Sequence, residues 1–227
     1  MEIPTIAWAL VGGLLPALLW LWFWLHEDRQ RPEPKSKLFL AFVLGMISTL
    51  LVIPIEGFLD GYIIGNTVLL VVLWAVTEEV FKYVAAFFSG LYTRANNEPV
   101  DAVIYMITAA LGFAAMENAL FLLTPLGAGH IADTIITGNM RFIGATVLHI
   151  LSSGTIGVFM AMSFYRKKIV KKEFVLMGLI LAVALHSIFN LLIMNNTGGN
   201  IFAIFLLVWI SVGVLLMFFE KAKHLRP

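Results

Sequence analysis

The sequence predicts an all-α integral membrane protein. It reads as one polytopic domain over residues 1–227, a bundle of about seven transmembrane helices with a buried polar site among spans three to six. Three observations predict this. First, 60% of the residues are hydrophobic, 13% are charged, and mean hydropathy is +0.93; the exterior of a soluble domain of this size needs far more polar surface. Second, the apolar runs are continuous over about 20 residues and do not alternate with period two, which excludes a β-barrel. Third, the basic residues fall on one side of the spans that those runs define.

The spans read in order as about 5–25, 37–57, 64–91, 100–123, 141–164, 173–195 and 199–219. The first is preceded by Met1-Glu2-Ile3-Pro4, which has no basic segment, so a retained span is expected in place of a cleaved leader. A charged, Pro-containing loop from His26 to Lys37 separates it from the second. Asn96-Asn97-Glu98-Pro99 opens the fourth as a helix start with proline in the first turn, and Asp101 complements that N-terminus. Pro125 to Gly138 reads as a Gly-containing loop and an outer lid. Asn195 to Asn200 reads as a tight turn before the last span. Spans one and seven carry no interior charge and read as supports facing lipid.

Thirteen of the fifteen lysines and arginines lie in the first, third and fifth loops and the C-terminal tail. Arg141 stands alone on the opposite side, and Lys82 lies inside a span. With seven spans, this asymmetry puts the N-terminus outside the cytoplasm and the C-terminus inside, in a multi-pass protein of the cell membrane. A net charge of +1 offers no nucleic-acid footprint, and the absence of cysteine excludes disulfides, thiolate nucleophiles and Cys-ligated zinc. The lipid bilayer is thus the one partner that composition itself requires.

Several residues do not fit an apolar bundle. Glu78, Glu79 and Lys82 lie in span three, Glu117 and Asn118 in span four, His149 and Ser153 in span five, His186 and Asn190 in span six. Each ionised group at mid-bilayer costs about 3 kcal/mol, so Glu78, Glu79, Lys82 and Glu117 cost roughly 12 kcal/mol if unpaired. That rivals the whole stability of a typical domain, about 5–15 kcal/mol, so they face the bundle interior and pair. Lys82 is three residues from Glu79 and four from Glu78, within reach of both. Taken singly, Asn118 reads as interhelical glue, Ser153 as packing or bonded back to its own helix, Phe113 as core and Arg141 as an interfacial anchor that can also hold a substrate or a carboxylate. Together the glutamates and histidines suit activation of water, with glutamate as general base and histidine or asparagine as donors to a developing oxyanion. The set Glu79, Glu117, His149 and His186 can instead hold zinc or another divalent metal, although no HExxH pair is present.

These motifs resemble a known family. Glu78-Glu79-x-x-Lys82, Phe113-x-x-x-Glu117-Asn118, His149 with Ser153, and His186-x-x-x-Asn190 look like the four ordered motifs of the PrsW-type intramembrane proteases. The loop from His26 to Pro34 and the segment Glu98-Pro99-Val100-Asp101 look like that family too. The family is grouped with the type II CAAX prenyl endopeptidases and the APH-1 scaffold of gamma-secretase. The resemblance implies site-1-type cleavage of a membrane-anchored protein, such as an anti-sigma factor, on the extracytoplasmic side. It implies Glu79 or Glu78 as the base and His186 with Asn190 as oxyanion stabilisers. Glu117 stands where the CAAX relatives place histidine, which leaves the metal reading open and His149 as the group that positions water. The alternatives are a non-catalytic scaffold of the same fold and, below it, a proton-coupled transporter. The transporter predicts inverted repeats, and none is visible.

Overall fold

The computed structural model describes residues 3–28, 31–196 and 201–226. The N-terminal Met1-Glu2, Arg29 and Gln30 of the first loop, and most of the turn expected after Asn195 lie outside the described residues. All regular structure among the described residues is helical: α1 (Ile3–Glu27), α2 (Lys35–Tyr62), α3 (Thr67–Ala86), α4 (Pro99–Gly127), α5 (Ile131–Met140), α6 (Thr146–Met162), α7 (Lys168–Met194) and α8 (Ile201–Lys223). A π turn over Phe87–Leu91 prolongs α3, and a second over Arg141–Ala145 fuses α5 to α6. Seven rods therefore cross the bundle. Six are long and apolar enough to span a membrane, counting Ile131–Met162 as one, which makes the chain a multi-pass membrane protein. The seventh, α3, is 20 residues long and carries Glu78, Glu79 and Lys82.

α4 is the axis of the fold. It is buried around its whole circumference from Pro99 to Ala115, with α1, α2 and α6 packed against it. Its start matches the sequence: the Asp101 carboxylate accepts from the backbone N–H of Asn97 and of Glu98, at 2.7 Å each. The α2–α4 crossing depends on two glycines. A Cβ on Gly112 would lie 2.0 Å from the Phe42 carbonyl oxygen, and one on Gly45 would lie 2.1 Å from that of Ala109. Both contacts are with backbone, so nothing larger than glycine fits at this approach. Beside it, Thr49 Oγ1 donates to the Phe113 carbonyl at 3.0 Å, which fixes the rotation of α4 just before Glu117.

Pro125 to Gly138 is not a loop. Only residues 128–130 leave helical geometry, with Gly129 at φ +74° making the turn. Pro125 sits in the last turn of α4, where it displaces little, and Gly138 is carried inside α5. Breaker residues near helix ends mark boundaries only loosely. The fifth span accordingly begins at Ile131, and the expected lid is a helix continuous with that span.

The loop between α1 and α2 packs under α4 at the opposite end of the bundle. Asp28 and Glu33 are buried there, and the Tyr105 hydroxyl donates to Glu33. Burial, reinforced by the negative charges of Asp101 and Glu98, pushes the Asp28 carboxyl up to about 7, with Lys223 opposing. Burial likewise pushes Glu33 up to about 8, with Asp101 adding to the rise and the Tyr105 bond opposing it. Unfolded carboxyls ionise near pH 4, so between about pH 4 and pH 8 the folded protein holds more protons, and its stability falls as pH rises. Thermal unfolding in detergent should therefore show a melting temperature that drops from about pH 5 to about pH 8.5. The double variant Asp28→Asn/Glu33→Gln should flatten that slope; an unchanged slope would place the pH dependence elsewhere.

Candidate active site

Glu78, Glu79 and Lys82 lie on the inner face of α3, and Glu79 and Lys82 are wholly inaccessible. Helical spacing alone brings the Lys82 ammonium 3.0 Å from Glu78 Oε2 and 2.8 Å from Glu79 Oε1. Across the interface, α6 presents His149, Ser152 and Ser153, and α7 presents His186; all four are buried. Glu79 enters between the serines and accepts from Ser152 Oγ at 2.9 Å and Ser153 Oγ at 2.7 Å. Its Oε1 also lies 2.8 Å from His186 Nδ1. A carboxylate this deep is tolerable because both oxygens meet donors, Lys82, Ser152 and His186 at Oε1 and Ser153 at Oε2. Ser153 is thus bonded to Glu79 rather than to its own helix, which corrects the expectation for it.

Glu117 plays the corresponding part on the other imidazole. Its Oε2 lies 2.8 Å from His149 Nε2 and 2.5 Å from Arg141 Nη2. Arg141 opens the π turn and reaches inward to α4; of the roles expected at this position, it takes that of holding a carboxylate. Its Nε donates to Asn118 Oδ1 at 2.6 Å, and Asn118 Nδ2 donates to Thr146 Oγ1 at 2.9 Å. Asn118 is glue between α4 and α6, as its type and depth suggested. Phe113 is more than core: its ring faces the cavity, with Lys82 Nζ 4.3 Å from the ring centroid.

These bonds fix the tautomers. A neutral imidazole that donates to a carboxylate from one nitrogen offers a lone pair on the other. His186 donates from Nδ1 to Glu79 and His149 from Nε2 to Glu117, so the lone pairs lie on His186 Nε2 and on His149 Nδ1, the latter 2.8 Å from the Lys82 ammonium. Both converge on Glu78: its Oε2 lies 3.8 Å from the first and 3.9 Å from the second. Ligand atoms of Glu78, His149 and His186 all fall within 4.8 Å of one another. The edge of a tetrahedron with 2.1 Å arms is about 3.4 Å, so two imidazoles and a carboxylate fit zinc in donor type, and from 3.8 and 3.9 Å they would draw in by about half an ångström to hold it. The four-residue metal set read from the sequence is divided differently in space. His149 and His186 converge on Glu78, while Glu79 and Glu117 each grip the far nitrogen of one histidine, the outer-shell position that orients metal-ligating imidazoles.

The group opens into a cavity of about 610 Å3 at the Tyr62 and Met194 end of the bundle. Asn190, one turn beyond His186, lines it, and so does Glu56 from α2. Glu56 does not stand out in the sequence because it closes an apolar run, where a charge looks like the start of a loop. Ser152 does not stand out because a serine in a span is commonplace.

The match to known proteins agrees with this geometry. A family model described as PrsW family intramembrane metalloprotease matches residues 33–218. The chain belongs to the PrsW family. It is similar to a protein named Protease PrsW from Clostridioides difficile, 24% identical over 187 residues that cover 80% of this chain and 77% of that protein. A protein of the same name from Halalkalibacterium halodurans is 24% identical over 212 residues, covering 89% and 93% respectively. A third, from Shouchella clausii, is 26% identical over 157 residues, covering 67% and 69%. No solved structure gives a significant match. Membership of a family of intramembrane proteases makes the chain a protease, against the scaffold and transporter alternatives.

Proposed function

We propose that the chain hydrolyses a peptide bond of a membrane-anchored protein in the cavity above Glu78, His149 and His186, with a divalent metal, zinc by donor type, held by those three residues. One observation carries this reading: each histidine is gripped on its far nitrogen by a carboxylate, so that both lone pairs converge on Glu78. Zinc held there supplies Lewis acidity at neutral pH. The chain's own residues do the rest. Glu79 and Glu117 hold the imidazoles in the required tautomers, and Arg141 keeps Glu117 in place. The Asn190 amide is placed to donate to the carbonyl oxygen of the scissile bond as charge develops on it. The net charge of the buried groups is negative and so attracts a cation. Glu78, Glu79 and Glu117 outnumber Lys82 and Arg141, so with neutral histidines the buried site is one positive charge short.

The substrate class is a single-span protein such as an anti-sigma factor, cut on the extracytoplasmic side. With the N-terminus outside and the C-terminus in the cytoplasm, the cavity opens at the outer end of the bundle and the basic loops face the cytoplasm.

A second reading rests on Lys82. Its ammonium lies 3.0 Å from Glu78 Oε2 and 2.8 Å from His149 Nδ1, and so satisfies two of the three ligand atoms unaided. In that case Glu78 takes the proton of the attacking water directly. Metal analysis of purified protein, with cleavage assayed before and after chelation, separates the two. Stoichiometric zinc and activity that is lost on chelation and restored by zinc are expected. Full activity in metal-free protein would establish the glutamate reading.

A further inference from the structure

Four carboxylates come near the cavity, and three have cations. Glu78 and Glu79 share Lys82, and Glu117 has Arg141. Glu56 lines the cavity, is half-buried, and makes no hydrogen bond or ion pair among the described residues. The lining that it shares is largely apolar and includes Val52, Ile53, Phe121 and Ile193. A carboxylate at membrane depth costs several kcal/mol without a partner, and the two uncommitted donors of the lining, Trp74 Nε1 and the Asn190 amide, make no bond to it. Arg141, which lines the same cavity, is committed to Glu117 and Asn118, and Lys82 to Glu78 and Glu79.

The position of Glu56 is as informative as its isolation. At 1.5 Å per residue, Glu56 lies about 9 Å from the Tyr62 end of α2, and Glu78 lies about 16 Å from the Thr67 end of α3. Glu56 is thus roughly 7 Å nearer the cavity mouth than the reacting centre. An extended chain advances about 3.3 Å per residue, so this offset corresponds to about two residues of substrate.

We infer that Glu56 is a specificity-determining residue that binds a lysine or arginine of the substrate about two residues from the scissile bond, toward the cavity mouth. The inference rests on the site reading above and adds to it a substrate requirement. The substrate cation supplies the missing partner and Glu56 the missing acceptor, so each is buried only in the complex. Such a rule is selective, because basic residues are scarce on the outer flank of membrane spans.

The test uses the purified full-length chain in detergent and synthetic single-span peptides rich in leucine and alanine. A single Lys, Met or Glu is moved through the positions flanking the span, and mass spectrometry reads the cleavage products. The wild type is expected to favour Lys over Met at one mouth-side position by about tenfold in kcat/KM, equivalent to about 1.4 kcal/mol. Glu56→Gln should bring that ratio close to unity, and Glu56→Lys should turn the preference toward Glu. An unchanged ratio in Glu56→Gln would overturn the inference. So would an equal loss on every peptide, which marks a structural role. Continued cleavage by Glu78→Gln on the same peptides would instead overturn the reading of the site, and the inference with it.

Discussion

Glu78→Gln is expected to lower kcat/KM by about 10^2- to 10^4-fold, the range for losing the group that activates water, while leaving the fold intact. Glutamine keeps the size of the side chain and an acceptor for Lys82, and Lys82 retains its second carboxylate, Glu79, at 2.8 Å. What disappears is the negative charge on which His149 and His186 converge. The same loss follows in either reading, whether Glu78 holds a metal or takes a proton. Metal content tells them apart, since the amide is a poor zinc ligand and Glu78→Gln should copurify with less zinc. Glu78→Asp draws the carboxylate back by about one carbon–carbon bond, and a misplacement of about 1 Å can itself cost about 10^2-fold. Cleavage of a single-span peptide by Glu78→Gln within about tenfold of wild type, at an unchanged melting temperature, would remove Glu78 from the chemistry.

That the site would form among spans three to six was legible because its members are expensive. Glu78, Glu79, Lys82 and Glu117 stand out in apolar runs, and the cost of burying charge leaves them no place but the interior facing one another. The span count was legible for the same reason, since lipid sets both segment length and loop charge. The division of labour between Glu78 and Glu79 was not legible. Adjacent residues on a helix point about 100° apart, and which one meets the imidazole lone pairs depends on the rotation of α3 against α6 and α7. That rotation is settled by Ser152 and Ser153, which accept only one of the two carboxylates between them. Arg141 was ambiguous because its reach depends on a π turn, and five residues of altered helical winding leave no mark on hydropathy. The glycines at the α2–α4 crossing were equally silent, because close backbone approach is a property of the pair and not of either sequence alone.

Glu79 should prove as important as Glu78 by a different route, and the double variant with Lys82 shows which. Glu79→Leu leaves the His186 Nδ1–H and the Ser153 hydroxyl without their acceptor, Ser152 with only the Leu148 carbonyl of its own helix, and the inaccessible Lys82 ammonium with a single carboxylate. Breaking a buried pair in this way costs roughly 3–5 kcal/mol. At roughly 2–4 °C per kcal/mol for a chain of this length, the melting temperature should fall by about ten degrees. Adding Lys82→Met removes the stranded ammonium, and replacing both members of a buried pair by apolar groups is often close to neutral. The comparison is made in zinc-loaded protein, where the metal would replace Lys82 as the cation beside Glu78. Glu79→Leu/Lys82→Met should therefore recover much of the stability. Activity should not return with it, because His186 still lacks the carboxylate that fixes its tautomer and orientation. Loss of such an outer partner lowers metal affinity by about 10- to 100-fold. Thermal melts and zinc titration on the single and double variants separate the two contributions. If the double variant melts no higher than Glu79→Leu, the penalty comes from the serine and histidine donors and not from the buried ammonium. If it binds zinc as tightly as wild type, Glu79 supports the fold alone, and the orientation of His186 is set by packing against His149, whose ring centroid lies 5.3 Å away.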